Sequence, residues 1–218
     1  MQSFQNLILL KNLYTLKSIG FEYSDLLTIN HPTPDTDIQN IDELKKSISN
    51  CYLCDFSKSR KQSMSGYGNI NADVMFIDYF VSVAEDDTNS YYNGRSGEML
   101  KAMIENVLNL KVEDVYITHA VKCKPLNQAK SLESQWNSCK NYLFKQIEFI
   151  KPKIIIPLGK DAYAKLTSQE DNFQNIRGHV IEYPNYKVVP IYHPNHLLRN
   201  PDDKVVTFND LKKIKSLL

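Results

Sequence analysis

The sequence predicts an α/β fold: a three-layer sandwich on a central, mostly parallel, four-stranded sheet. Two observations carry this. From Ala72 onward, short apolar runs alternate with longer segments whose apolar residues recur at helical spacing. The runs are apolar throughout, as strands covered on both faces require, and the alternation lays helices over a parallel sheet.

Taken in order, "VMFI" (Val74–Ile77) is the first strand, and Met99, Leu100, Met103, Ile104, Val107 and Leu108 form one helical stripe after it. "VYITHAV" is the second strand. Leu132, Trp136, Cys139, Leu143, Ile147 and Ile150 keep helical spacing through a long helix. "KIIIPLG" is the third strand, "KDAYAKL" a short helix, "YKVVPIYHP" the fourth strand and "NDLKKIKSLL" a closing helix. Residues 1–50 read as an N-terminal helical arm, with helical pieces at about 5–19 and up to Asn50 around the proline-broken "NHPTPDTD"; the main domain is 51–218. Ligands in such sheets bind at the carboxyl ends of the strands, here after Ile77, Val121, Leu158 and Ile191.

The 218 residues, 42% hydrophobic and 23% charged, describe an ordinary globular protein with a substantial core. No apolar run approaches the roughly 20 residues that span a bilayer. The start "MQSFQNLILLKNLYTLKS" lacks the basic opening of a signal peptide. These features point to the cytoplasm and away from any membrane. A net charge of +1 creates no global basic field. Two local patches remain in acid-free stretches: Lys58, Arg60 and Lys61, and Lys122, Lys124 and Lys130.

The cysteines are Cys51, Cys54, Cys123 and Cys139. In a cytosolic chain they are not expected to pair as disulfides. Cys51-Tyr-Leu-Cys54 is a CxxC, shared by redox pairs and zinc knuckles. A zinc site usually uses two tight pairs. One tight pair with two dispersed cysteines suits an iron–sulfur cubane, whose irons are reached from different directions. On spacing alone the cluster, zinc and buried free thiols all stay open.

"CYLCDFSKSRKQSMSGYGNINADVMFI", "YNGRSGEML", "VYITHAVKCKP", the Cys139 helix, "KIIIPLGKDAYAKL", "IRG" and "YHPNHLLRNP" occur in this order. Together they resemble the iron–sulfur class (family 4) of bacterial and archaeal uracil-DNA glycosylases, over about residues 51–215. The resemblance implies a uracil-DNA glycosylase-like fold and a [4Fe–4S] cluster held by Cys51, Cys54, Cys123 and Cys139. It implies a monomer acting in the nucleoid on DNA that contains a damaged or deaminated base. The basic patches would then meet phosphates.

A glycosylase flips its base, grips it, stabilises charge on it as it departs and fills the gap in the stack. The resemblance puts His193 of "YHPNH" in the role of hydrogen-bond donor to the leaving base. Tyr92 of "SYYNGRSG" falls where the family has a stacking Phe. Leu197, Leu198 and Arg199 fit a wedge and a phosphate contact. Two positions depart from the pattern. Ungapped alignment sets Asp78–Ser82 on the family's Gly-Glu-Ala/Gly-Pro-Gly loop, with Tyr79 in the place of the water-activating carboxylate. A phenol of reference pKa about 10 is a poor base. Asp78, one residue away, is the candidate to position water, with Glu85 or Asp86 as groups that fold back. His119 stands where the family commonly has Asn, whose amide offers a donor and an acceptor on one edge. The expected function is a DNA glycosylase of base-excision repair that hydrolyses the N-glycosidic bond of a flipped uracil or related base. The alternative is a catalytically impaired, DNA-binding or damage-sensing protein that retains the cluster.

Overall fold

The computed structural model describes residues 38–126 and 133–218. The helical piece expected at 5–19, Lys130 and Leu132 lie outside the described residues. Helix α1 (Ile41–Ser49) opens the described chain. Asn40 caps it by accepting from the Asp42 and Glu43 amides, and Ile41, Leu44 and Ile48 form its buried stripe. A short 3-10 turn follows at Asp55–Lys58. Then come β1 (Tyr67–Gly68), β2 (Val74–Phe80), α2 (Val83–Thr88) and α3 (Gly94–Met103), which widens into a π-type turn over Ile104–Leu108. They are followed by β3 (Tyr116–Val121), α4 (Glu133–Ile150), β4 (Ile154–Pro157), α5 (Gly159–Thr167) and the single turn α6 (Phe173–Ile176). The chain closes with β5 (Ile181–Glu182), β6 (Lys187–Val188), α7 (Pro194–Arg199) and α8 (Asp203–Lys215).

The sheet runs β1-β3-β2-β4-β6-β5. Its four inner strands are parallel, which is the sheet expected from the sequence. Two-residue antiparallel strands, β1 and β5, extend it to six. Such edges are too short to leave a periodic signal.

Side chains alternate across a strand, and the core divides accordingly. Met75 and Ile77 join Tyr116, Ile155 and Val188 on one face, packed with α1, α4 and α5. Val74 and Phe76 join Ile117, Ile154 and Ile156 on the other, packed with α3, α7 and α8. Thus α1, from the stretch read as an arm, contributes Leu44 and Ile48 to the same core layer as Cys51 and Cys123.

Candidate active site and thiol cluster

The strand alternation fixes the site. β2 does not stop at Ile77 but continues to Phe80, so Asp78 shares a face with Val74 and Phe76, and Tyr79 shares the opposite face with Met75 and Ile77. Asp78 lies beside its register partner His119 on β3. On the same side His193 ends the last strand segment and caps α7. The His193 Nδ1 accepts from the Asn195 amide at 2.9 Å. The proton of the neutral ring is therefore on Nε2, which donates to Asp78 Oδ2 at 2.9 Å. The other carboxylate oxygen accepts from the Tyr79 amide at 2.6 Å.

Burial alone would lower the pKa of His193, but the charge and hydrogen bond of Asp78, with Glu85 and Asp161 further off, raise it above its ordinary value. Burial would raise Asp78; His193, then His119 and the Tyr79 amide, outweigh it and hold the carboxyl below the usual range. Asp78 is thus a carboxylate at neutral pH, tied to an oriented imidazole.

The pair opens onto a cleft of 540 Å³. Its walls include Tyr79, Phe80, Glu85, Tyr91, Tyr192 and Arg199. Gly159, at the β4–α5 turn with φ +88°, lies so close that a Cβ there would stand 3.2 Å from His193 Cβ. Glycine at this turn leaves room for the imidazole.

Beneath the cleft His119 is fully buried, and the Tyr91 ring stacks on it with centroids 5.1 Å apart. The His119 Nε2 is 3.1 Å from Glu85 Oε1, yet neither ring nitrogen is aligned for a hydrogen bond. Glu85 is fixed independently, because its carboxylate accepts from the Ser82 amide while the Ser82 hydroxyl accepts from the Glu85 amide, closing a capping box at the start of α2. Burial raises its pKa less than His119 and Ser82 lower it.

The structure brings Asp78, Tyr79, Glu85, His193 and Arg199 to one cleft and places Tyr92 and Leu197 elsewhere, with His119 beneath it. Tyr79 packs edge-on to Phe80 at 5.5 Å. Burial, with Asp161 and Glu133, pushes its phenol up to about 12. Tyr92 turns from the cleft onto Tyr67, its ring edge-on at 6.1 Å and its buried hydroxyl without a partner among the described residues. Tyr91, its neighbour, lines the cleft instead. Leu197 is 2% exposed and belongs to the core beside α3, because helical spacing turns it inward; Leu198 is half-buried and Arg199 exposed. Sequence reasoning passed over Tyr91 and Phe80, the latter 43% exposed at the end of β2. In the adjacent pair Tyr91–Tyr92 only packing decides which ring faces in. A Cβ at Gly97 would lie 2.5 Å from the Tyr92 carbonyl carbon, so that glycine seats the pair against α3.

Of the acids after the strand, Asp86 and Asp87 are tied into the fold. Asp86, fully buried, accepts from the Lys61 and Gln62 amides at 3.0 and 3.3 Å and pairs with Lys124 at 3.1 Å. Asp87 pairs with Lys61 at 2.7 Å. Both basic patches are therefore partly neutralised within the fold.

Residues 65–214 match the family model of the uracil DNA glycosylase superfamily. The type-4 uracil-DNA glycosylase of Saccharolobus solfataricus is 33% identical over 83% of this chain and 88% of its own length. Those of Sulfurisphaera tokodaii and Archaeoglobus fulgidus are each 30% identical over 83% of the chain, covering 86% and 94% of their own lengths. The chain belongs to the uracil-DNA glycosylase superfamily.

In this superfamily member a second cluster of side chains lies behind the cleft. Cys51, Cys123 and Cys139 are buried and Cys54 half-buried, and none forms a disulfide. They sit close enough to interact by charge: Cys123 feels Cys54 and Cys51, and Cys139 feels Cys123 and Cys54. Burial pushes Cys139 up to about 12 against the Lys122 amide, and it raises Cys54 and Cys123 too. Among the described residues no three His, Cys, Asp or Glu side chains are gathered as tightly as a single metal ion needs. The buried Lys122 ammonium donates to Thr118 Oγ1, the His119 carbonyl and Gln146 Oε1 at 2.9, 2.5 and 2.6 Å. Among the described residues no helix is long and apolar enough to cross a membrane.

Proposed function

We propose that this protein excises uracil or a related deaminated base from DNA, with the Asp78–His193 pair as its catalytic centre. Superfamily membership makes it a DNA glycosylase of base-excision repair, a hydrolase, and the reading as an impaired damage sensor is not favoured. The observation that carries the assignment of residues is the 2.9 Å contact between His193 Nε2 and Asp78 Oδ2 at the cleft.

The flipped base enters the cleft beside Tyr91. As the base enters, the His193 Nε2–H turns from Asp78 Oδ2 to a base oxygen and donates to it while the N-glycosidic bond breaks and its electron pair moves onto the base. Asp78, ionised, faces the positive charge that develops on the sugar and orients water. The water oxygen bonds to the sugar carbon and its proton passes to the carboxylate. Tyr79, with a phenol near 12, takes no part in proton transfer. In this reading Asp78 does from its own position what the family carboxylate does one residue later. Arg199 and the half-buried Leu198 face the DNA at the cleft rim, and the protein acts as a monomer in the cytoplasm, at the nucleoid.

Cys51, Cys54, Cys123 and Cys139 fit a [4Fe–4S] cluster better than a single ion. They supply four thiols from three separate segments within one core cluster, with no disulfide between them. Such a cluster would tie β3, α4 and the Cys51–Cys54 segment together behind the active site, a structural service rather than a step in hydrolysis.

Base release from uracil- and hypoxanthine-containing oligonucleotides, compared between wild type and His193→Ala, tests the proposal. Release by wild type that falls sharply in the variant supports it. DNA binding without release of any base refutes it.

A further inference from the structure

The sequence grouped Arg60 with Lys58 and Lys61 as a residue for phosphates, but the structure turns it inward. Its Nη1 donates to Cys123 Sγ at 3.0 Å. Its Nη2 donates to the Ser49 and Cys51 carbonyls at 3.0 and 2.8 Å, and its plane lies 5.9 Å from the Tyr52 ring centroid. Among the described residues it has no carboxylate partner. A guanidinium is charged at every working pH and presents its donors in a rigid fork. This fork spans the end of α1, the CxxC segment and the end of β3, all at once.

We propose that Arg60 is a positioning residue for the iron–sulfur group, resting on the cluster reading above. It holds Cys123 by a charge-assisted N–H···S bond and locks the two cysteine-bearing segments in place. The carbonyl contacts fix the fork. Ser49 ends α1, where carbonyls lack helical partners and a cation is favoured, and Cys51 is itself one of the four thiols. With Nη2 fixed in this way, Nη1 of the same rigid plane is aimed at the sulfur. Groups of this kind orient ligands and set their electron density, and losing one costs a metal site about 10–100-fold in affinity. The lysines on either side, Lys58 and Lys61, stay outside and pair with Asp55 and Asp87.

The test uses the full chain purified without oxygen, as wild type, Arg60→Gln and Arg60→Lys. Two quantities are followed: the rate of iron loss to a chelator, and the Fe–S stretching bands in the resonance Raman spectrum. The expected result is about tenfold faster iron loss in Arg60→Gln, a shifted Fe–Cys stretch, and partial rescue in Arg60→Lys. The Raman shift separates a bond to sulfur from general loosening, which would speed iron loss and leave the band in place. Wild-type bands in an iron-loaded Arg60→Gln overturn this inference and leave the cluster reading standing. A wild-type protein without iron overturns the cluster reading and this inference with it. If Arg60→Gln does not fold, Arg60→Lys decides: faster loss with a shifted band supports the proposal, and wild-type behaviour refutes it.

Discussion

Asp78→Asn separates the charge of the proposed catalytic centre from its shape. Asparagine is isosteric, and its amide oxygen can still accept from His193 Nε2. Its NH2 then faces the Tyr79 amide, so that bond is lost together with the negative charge. The two side chains are 24% and 18% exposed, so their interaction is weakly screened. A hydrogen bond to a charged group contributes about 1.5–3 kcal/mol and a neutral one about 0.5–1.5, so the exchange at His193 and the lost Tyr79 bond together cost about 3 kcal/mol of stability. For a chain of this size that lowers Tm by about 6–12 °C. Activity should fall far more, because a positioned acid or base typically contributes about 10²–10⁴-fold. The assay is single-turnover base release from a uracil-containing oligonucleotide beside thermal unfolding of the same protein. A rate loss at a temperature where both proteins are fully folded fits a carboxylate that acts in the reaction. Wild-type rates in Asp78→Asn, with a large loss in Tyr79→Phe, would refute the assignment and return the role to position 79.

Four further outcomes follow. Tyr79→Phe keeps base release close to wild type in the same assay, since the phenol neither ionises nor donates in the proposed reaction. Asp86→Ala strips two amides and Lys124 of a buried acceptor, and breaking such a pair costs about 3–5 kcal/mol; calorimetry should show Tm lower by about 10 °C. The Asp78 contribution to stability is present above its ordinary pKa of 3.8 and lost as pH falls through its lower folded value. That of His193 is complete below its ordinary 6.5 and lost as pH rises through its raised folded value. The Tm difference between wild type and Asp78→Asn is therefore expected to be greatest between these limits and to shrink on either side, measured by unfolding across pH. In an NMR titration of Asp78→Asn the His193 midpoint moves down, because the largest influence raising it is removed.

Much of the frame was legible because burial on both faces leaves an unambiguous mark. Val74–Ile77 and Ile154–Ile156 are apolar without interruption, and each is a central strand. Helical stripes such as Leu143, Ile147 and Ile150 were equally clear. What escaped was decided by contacts between distant residues. "AEDD" reads as a loop carrying candidate catalysts, yet Ser82 and Glu85 cap one another and start a helix. That places Asp86 against backbone amides 24 and 25 residues earlier in the chain. Lysines in an acid-free stretch look available to phosphate until the fold brings acids from α2 to Lys61 and Lys124.

The same distinction explains the active site. Comparing motifs position by position made Tyr79 the anomaly, since it occupies the place of a carboxylate and cannot act as one. The pleat makes Asp78 the relevant residue. Two residues beyond Phe76 on one strand face, it must project to the side where α7 begins, and the cap of α7 is His193. Position 79 leaves the strand on the opposite face, packed toward α4 and α5, and the long Tyr79 ring reaches the cleft wall from there. Loss of glycines from the loop is consistent with this exchange: β2 runs on as regular strand to Phe80, which a flexible glycine loop would not do, and the extension is what aims Asp78 at the imidazole. Asp78 thus keeps a carboxylate beside the imidazole on the cleft face, and this geometry supports the proposal of an active enzyme in spite of Tyr79.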